Sequence, residues 1–307
     1  MLLDFTLLII SLAVIIKSAD LAIRYSSRLA EGLKLSRYLI GFLIVAVISI
    51  LPETFVAITS AVEGMPAFGL GTLFGSNVAD LTLVFVLVVL ISGHNLKVES
   101  RVIKNRFFHI GAMTVPIVLG LDGHYSRAEG VVLITVGLCF YYFIFKKNKR
   151  ESGVGKKEMK VINILKLILS MAFLLLGAHF TVRYGIELAR ALHVSPVLIG
   201  MFVVGLGTTL PELLFSIKAA RRAYDGLALG DILGTVVADA TVVVGLVAMI
   251  SPFDFNQRII YISGVCMVFA TVLLFHFMKT GKTLTKKEAL LLLFFYFVFV
   301  TAELLIN

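Results

Sequence analysis

Apolar residues run in long stretches along almost the whole chain, and polar residues gather in short clusters between them. The stretches near 3–23, 38–62, 66–92, 107–122, 127–145, 161–182, 195–218, 226–252, 258–278 and 288–306 are each of about the 20 residues a helix needs to cross the hydrocarbon core. This pattern predicts an all-α membrane protein with ten transmembrane helices. The first stretch opens Met1-Leu2-Leu3-Asp4, without a basic head or a small-residue cleavage site, and is read as a retained helix rather than a signal peptide.

Composition agrees with that picture. Of the 307 residues 59% are hydrophobic and 15% charged, and the mean hydropathy is +1.00, more apolar than a water-soluble domain can hide. Cys139 and Cys266 both fall inside predicted spans, so neither a disulfide framework nor a cysteine metal site is expected.

The net charge of +9 would suggest nucleic acid as a partner until its placement is considered. Of the 28 Lys and Arg, 22 lie in or beside alternate connections: Arg24, Arg28, Lys34 and Arg37; Lys97, Arg101, Lys104 and Arg106; the run from Lys146 to Lys160; Lys218, Arg221 and Arg222; Lys279, Lys282, Lys286 and Lys287. Such one-sided placement is the positive-inside signature, and with ten spans it puts both termini outside. The basic charge thus reports topology in the bilayer, most simply the plasma membrane, and no nucleic acid is expected as a partner. Anionic lipid is an expected contact of the 146–160 loop.

That loop is the clear linker. It divides a single transmembrane domain, 1–307, into a first half (1–145) and a second (161–307). A shift of 159 positions superposes the halves without gaps, and 39–92 matches 198–251 at 21 of 54 positions, against about one in ten for unrelated aliphatic helices. Leu51-Pro52-Glu53 recurs as Leu210-Pro211-Glu212, Gly75 as Gly234, and Val78-Ala79-Asp80 as Val237-Ala238-Asp239. With an odd number of spans per half, the second copy is inverted. Inverted repeats with broken helices at the midplane are the architecture of secondary transporters, whose ion site lies where the repeats meet.

Pro52 and Pro211 fall mid-span, where each removes a backbone donor and frees carbonyls upstream. Broken backbone in a bilayer is tolerated against protein or a water-lined cavity, and a bound cation would satisfy it. The residue after each proline is a carboxylate, Glu53 or Glu212, at a depth where a lone charge costs several kcal/mol. Asp80 and Asp239 follow the small-residue segments 71–79 and 230–238, which allow close helix approach. Four carboxylates are therefore expected on one pseudo-twofold axis, with hydroxyls from Ser49, Ser76, Thr208, Thr209 and Thr235 beside them. A hard cation such as calcium takes six to eight oxygens of these kinds.

The segments Gly207-Thr208-Thr209-Leu210-Pro211-Glu212 and Gly230-Asp231-Ile232-Leu233-Gly234-Thr235-Val236-Val237-Ala238-Asp239 resemble motifs of the calcium/cation antiporter superfamily, and within it the prokaryotic sodium/calcium exchangers. The resemblance implies a secondary antiporter, not an enzyme, that needs no cofactor and transports calcium and sodium. It implies Glu53 and Glu212 as calcium ligands, with Glu212 shared by sodium. Thr208, Thr209, Thr235 and Ser76 would be sodium ligands and Asp239 a central-site group. Ala46 and Gly205, which offer only backbone carbonyls, complete the expected ligand set.

The first repeat departs from that pattern. It reads Ile48-Ser49-Ile50 where the family has Gly-Thr-Ser, so one hydroxyl ligand becomes an isoleucine. Asp80 stands where the family's first repeat has asparagine, and Thr72 and Asp231 replace the asparagines of the Gly-Asn pairs. An extra acid can take a proton, bind another cation or turn the exchange away from sodium. Calcium/proton exchange is therefore the alternative, and an intramembrane aspartyl hydrolase using Asp80 and Asp239 a distant one.

Overall fold

The computed structural model describes residues 2–30, 46–148 and 161–306. The Leu39-Ile40-Gly41 segment, Lys34, Arg37 and nearly all of the 146–160 linker lie outside the described residues. The chain is helical almost throughout. Helix α1 is Leu2–Ala30; a short turn of helix at Ala46–Ser49 leads into α2, Leu51–Val62; α3 is Pro66–Ser92. Then come α4, Arg106–Leu119, and α5, Arg127–Asn148. The second half of the chain holds α6, Val161–Leu192, α7, Pro196–Arg221, α8, Asp225–Ile250, α9, Ile260–Lys279, and α10, Lys286–Ile306.

Local chemistry sets many of the ends. Pro66 and Pro196 open α3 and α7, where a missing N–H costs nothing, and Ser195 Oγ accepts from Val197 N. Ser126 and Glu129 form a capping box at α5: Ser126 N donates to Glu129 Oε2 at 2.8 Å and Glu129 N to Ser126 Oγ at 3.2 Å. The same box recurs 159 residues on, at α10, with Thr285 and Glu288 at 2.8 and 3.4 Å. Gly93, at φ 81°, ends α3.

Helices α3 and α8 each contain one π-turn, at Asp80–Val84 and Asp239–Val243. Both begin at an aspartate, at positions related by the same shift. A third π-turn, Gly200–Val204, lies in α7 and a fourth, Ile260–Gly264, opens α9. Such turns widen the helix by a residue and are frequent at functional sites.

The halves interlock. Helix α1 packs along α6, α5 packs on α8, and α10 packs on α3, so the last helix of each half covers the other half's central helix. Two short strand pairs repeat the exchange: β1 (Leu96–Lys97) pairs with β4 (Thr283–Leu284), and β2 (His124–Tyr125) with β3 (Phe253–Asp254), both antiparallel. At the α5–α8 crossing the backbones come so close that a Cβ on Gly245 would lie 2.7 Å from the Gly130 carbonyl oxygen.

Large apolar side chains point outward, with Phe294 69% and Leu305 80% exposed. Among the described residues six helices are long and apolar enough to cross a membrane: α3, α7, α8, α9, the 127–146 part of α5 and the 286–305 part of α10. Shorter ones include the apolar α2. An outward apolar surface is what a bilayer solvates and water does not.

Candidate functional site

The centre of the molecule is lined by α2, α3, α7 and α8. Along α3 every residue from Phe68 to Asp80 is buried, and along α8 every residue from Ala228 to Asp239. Small residues make this possible: a Cβ on Gly205 would stand 3.1 Å from Thr72 O and 3.2 Å from Ser76 N, so the α7 backbone runs against that of α3.

All the sequence-predicted residues lie inside. Glu53, Glu212, Asp80, Thr208 and Thr209 are 3% exposed or less, and Asp239, Ser76, Thr235 and Ala46 are fully covered. Ser49 and Gly205 are buried too. Glu53 has Thr208 of the other half beside it, and Glu212 has Thr235. Yet both carboxyl oxygens of Glu53, Asp80, Glu212 and Asp239 lack a hydrogen-bond partner among the described residues. Thr209 Oγ1 likewise has none. Eight orphaned carboxyl oxygens are far outside what a stable interior keeps without a cation or proton.

The other hydroxyls are anchored on their own helices. Ser49 Oγ has two acceptors in reach of its one proton, Asp231 Oδ1 at 2.9 Å and Ala46 O at 3.1 Å, and Thr208 Oγ1, its counterpart, donates to Gly205 O at 3.0 Å. Ser76 Oγ donates to Leu73 O and Thr235 Oγ1 to Asp231 O, each at 3.0 Å. A hydroxyl that spends its proton backward keeps its lone pairs for a cation, so this back-bonding fits a ligand as well as a spacer.

One expectation needs correction, and one finding limits how a cation is held. Pro211 does not break its helix: Gly205–Arg221 runs through it, and the irregularity of α7 is the π-turn at Gly200–Val204. The π-turn lies upstream of the Gly207 carbonyl, four residues before Pro211, that the proline leaves without a backbone donor. Pro52, by contrast, directly follows the interruption at Ile50. Nor do the acids form one metal-holding cluster. Among the described residues no three His, Cys, Asp or Glu side chains stand close enough to share an ion, because the glutamates sit on α2 and α7 while the aspartates open π-turns on α3 and α8. Hydroxyls and carbonyls must complete any coordination shell.

Asp231 and Ser216 were missed as members of the site. Asp231 is fully covered and lies within charge range of Glu53, Asp80 and Glu212. The signal was present in the sequence: Asp231, Thr235 and Asp239 recur every four residues and share one helix face.

The chain matches the family model described as sodium/calcium exchanger protein twice, over residues 3–146 and 162–305, the second match displaced by 159 at both bounds. It is 23% identical over 346 residues to the sodium/calcium exchanger MaX1 of Methanosarcina acetivorans, covering 96% of this chain and 97% of that one. It is 27% identical to the inner membrane protein YrbG of Escherichia coli, covering 83% and 82%. Among solved structures it resembles the sodium-calcium exchanger NCX_Mj, at a TM-score of 0.73 and 25% identity over 98% of each chain. These matches exclude the hydrolase reading, and the chain belongs to the sodium/calcium exchanger family of multi-pass membrane transporters.

Proposed function

We propose that this chain moves calcium across the membrane in exchange for sodium. One divalent ion is held between Glu53 and Glu212. Backbone carbonyls at Ala46 and Gly205 and the hydroxyls of Ser49, Ser76, Thr208, Thr209 and Thr235 complete the shells, and Asp80 and Asp239 flank them. The observation that carries this reading is the set of buried carboxylates without hydrogen-bond partners among the described residues, at matched positions of two sequence-related halves. Two glutamates offset the charge of one calcium ion, and a cation that pairs with buried acids removes the cost of leaving them uncompensated.

The architecture in this reading is ten spans in two inverted five-helix halves. The recurrent capping boxes, the paired π-turns and the crossed packing of α5 and α10 support it. Exchange then needs the central helices to open alternately to each side while the site stays fixed. Both termini lie outside the plasma membrane, and the 146–160 loop meets cytoplasmic anionic lipid.

Proton-coupled calcium exchange is the second reading, favoured by one pair of residues. Ile50 removes an oxygen at the position matching Thr209, and Asp80 adds an acid that can carry a proton. Calcium uptake into proteoliposomes under an imposed outward sodium gradient, beside the same vesicles under a proton gradient, separates the two. Sodium-driven accumulation is expected; accumulation under the proton gradient alone selects the second reading.

A further inference from the structure

The seam between α9, α10 and the start of α7 holds an acid that cation binding does not use. Glu303, near the end of α10, is 1% exposed. Ser263, fully covered in the π-turn that opens α9, hydrogen-bonds Glu303 Oε1, and its Oγ also stands 3.8 Å from Met201 Sδ. Met201 lies in the Gly200–Val204 π-turn of α7, directly before Gly205. The backbone there is pressed on α3, since a Cβ on Gly75 would lie 2.6 Å from Met201 O. Phe299, one turn before Glu303, has its ring 5.8 Å from that of Phe202. A buried acid on α10 thus reaches, through one hydroxyl, the irregular part of the helix that carries Thr208, Thr209 and Glu212.

A tie between α9 and α10 does not by itself call for an acid. A carboxylate inside a bilayer costs several kcal/mol, and the position matching Glu303 in the first half is Ile144, buried and apolar. The shared hydroxyl gives the acid a use. Ser263 has one proton and two acceptors in reach, and a thioether sulfur can only accept. With Glu303 ionised, the carboxylate is the stronger acceptor and takes the Ser263 proton. With Glu303 protonated, the acid donates to Ser263 Oγ and the Ser263 proton turns to Met201 Sδ, linking α10, α9 and α7 in one chain of hydrogen bonds.

We propose that Glu303 is a proton-binding site separate from the cation site, and that a proton on it slows exchange by tying the α7 π-turn, through Ser263 and Met201, to α9 and α10. The titratable groups on the helices packed against α10 are Asp80 on α3 and Tyr261, Cys266, His276 and Lys279 on α9. Cys266 lies within charge range of Glu303, Tyr261 is exposed, and His276 and Lys279 sit at the opposite end of α9. On α10 itself Lys286, Lys287 and Glu288 are likewise at the far end, and Tyr296 lies two turns before Glu303. Asp80 is told apart by what it controls: a proton there acts on calcium affinity, whereas one on Glu303 acts on the rate at saturating calcium. The inference rests on the exchange reading and holds for either counter-ion.

The test uses proteoliposomes of the full chain loaded with calcium, with radioactive calcium outside at a saturating concentration and the same pH and sodium on both sides. Calcium then exchanges for calcium without a counter-ion gradient. The native rate should fall by roughly two- to tenfold between about pH 9 and 5, the effect of one hydrogen bond. Glu303→Gln, whose amide donates to Ser263 as the protonated acid does, should hold the slow rate at every pH. Met201→Leu, which removes the sulfur at similar volume, should hold the fast rate. A native rate independent of pH overturns the proton site, as does native pH dependence in Glu303→Gln. If Glu303→Gln does not fold, native pH dependence in Met201→Leu overturns it. These outcomes leave the exchange reading standing; calcium exchange absent from the native protein at every pH would overturn that reading, and the proton site with it.

Discussion

Tyr141 Oη donates a hydrogen bond of 2.8 Å to the carbonyl of Gly234, joining the last helix of the first half to the residue just before Thr235 in the second. The bond fixes α5 against the segment of α8 that carries the site. Tyr141→Phe should lower stability by about 0.5–1.5 kcal/mol, the net worth of one such bond. Thermal unfolding in detergent measures this. An unchanged melting temperature would mean that the tie contributes nothing to the packing of α5 on α8.

Gly245 gives a sharper contrast between packing and ion chemistry. Its Cα faces the Gly130 backbone at a distance a methyl group cannot share. Gly245→Ala should therefore force α5 and α8 apart, at about 1–3 kcal/mol. The expected result is a lower melting temperature with calcium affinity within a few-fold of native. A variant that melts normally would show that the crossing is looser than the backbone separation indicates.

Much of this was legible in the chain. The 159-residue offset, read from matching letters, reappears in the capping boxes at Ser126 and Thr285 and in the π-turns that begin at Asp80 and Asp239. The candidate ligands were legible because a buried acid needs a reason to be there, and two acids at matched positions share one. Other features depend on relations that lie far apart in sequence. Proline chemistry predicts a break at Pro211, but the helix runs through it and the irregularity of α7 lies at the Gly200–Val204 π-turn. Asp231 reads as a substitution within a motif, and its tie to Ser49 spans 182 positions that only the packed fold brings together.

The topology rests on the basic residues of alternate connections. With the native cysteines Cys139 and Cys266 replaced, a single cysteine at Ser152 should stay unlabelled by an impermeant reagent applied outside intact cells and react once the membrane is opened. Ready labelling from outside would reverse the orientation.

Proton coupling is separable from sodium coupling by pH. A carboxylate that binds calcium must first release any proton it holds, so a protonated acid in the empty site makes calcium affinity fall as pH falls. If Asp80 is that acid, apparent affinity weakens between about pH 8 and 6, the interval open to buried carboxyl groups, and Asp80→Asn flattens the dependence while transport persists. An affinity independent of pH in the native protein would leave Asp80 without a proton-carrying role and return the choice to sodium.

The central claim is that Glu53 and Glu212 share one divalent cation. It is tested most directly by calcium flux in proteoliposomes containing Glu53→Gln or Glu212→Gln, each shown by size-exclusion profile and melting to be folded. Removing either charged ligand should cut calcium transport by about a hundredfold or more, because the remaining glutamate cannot balance the ion alone. Calcium flux that survives at native rates in both single variants would contradict the account.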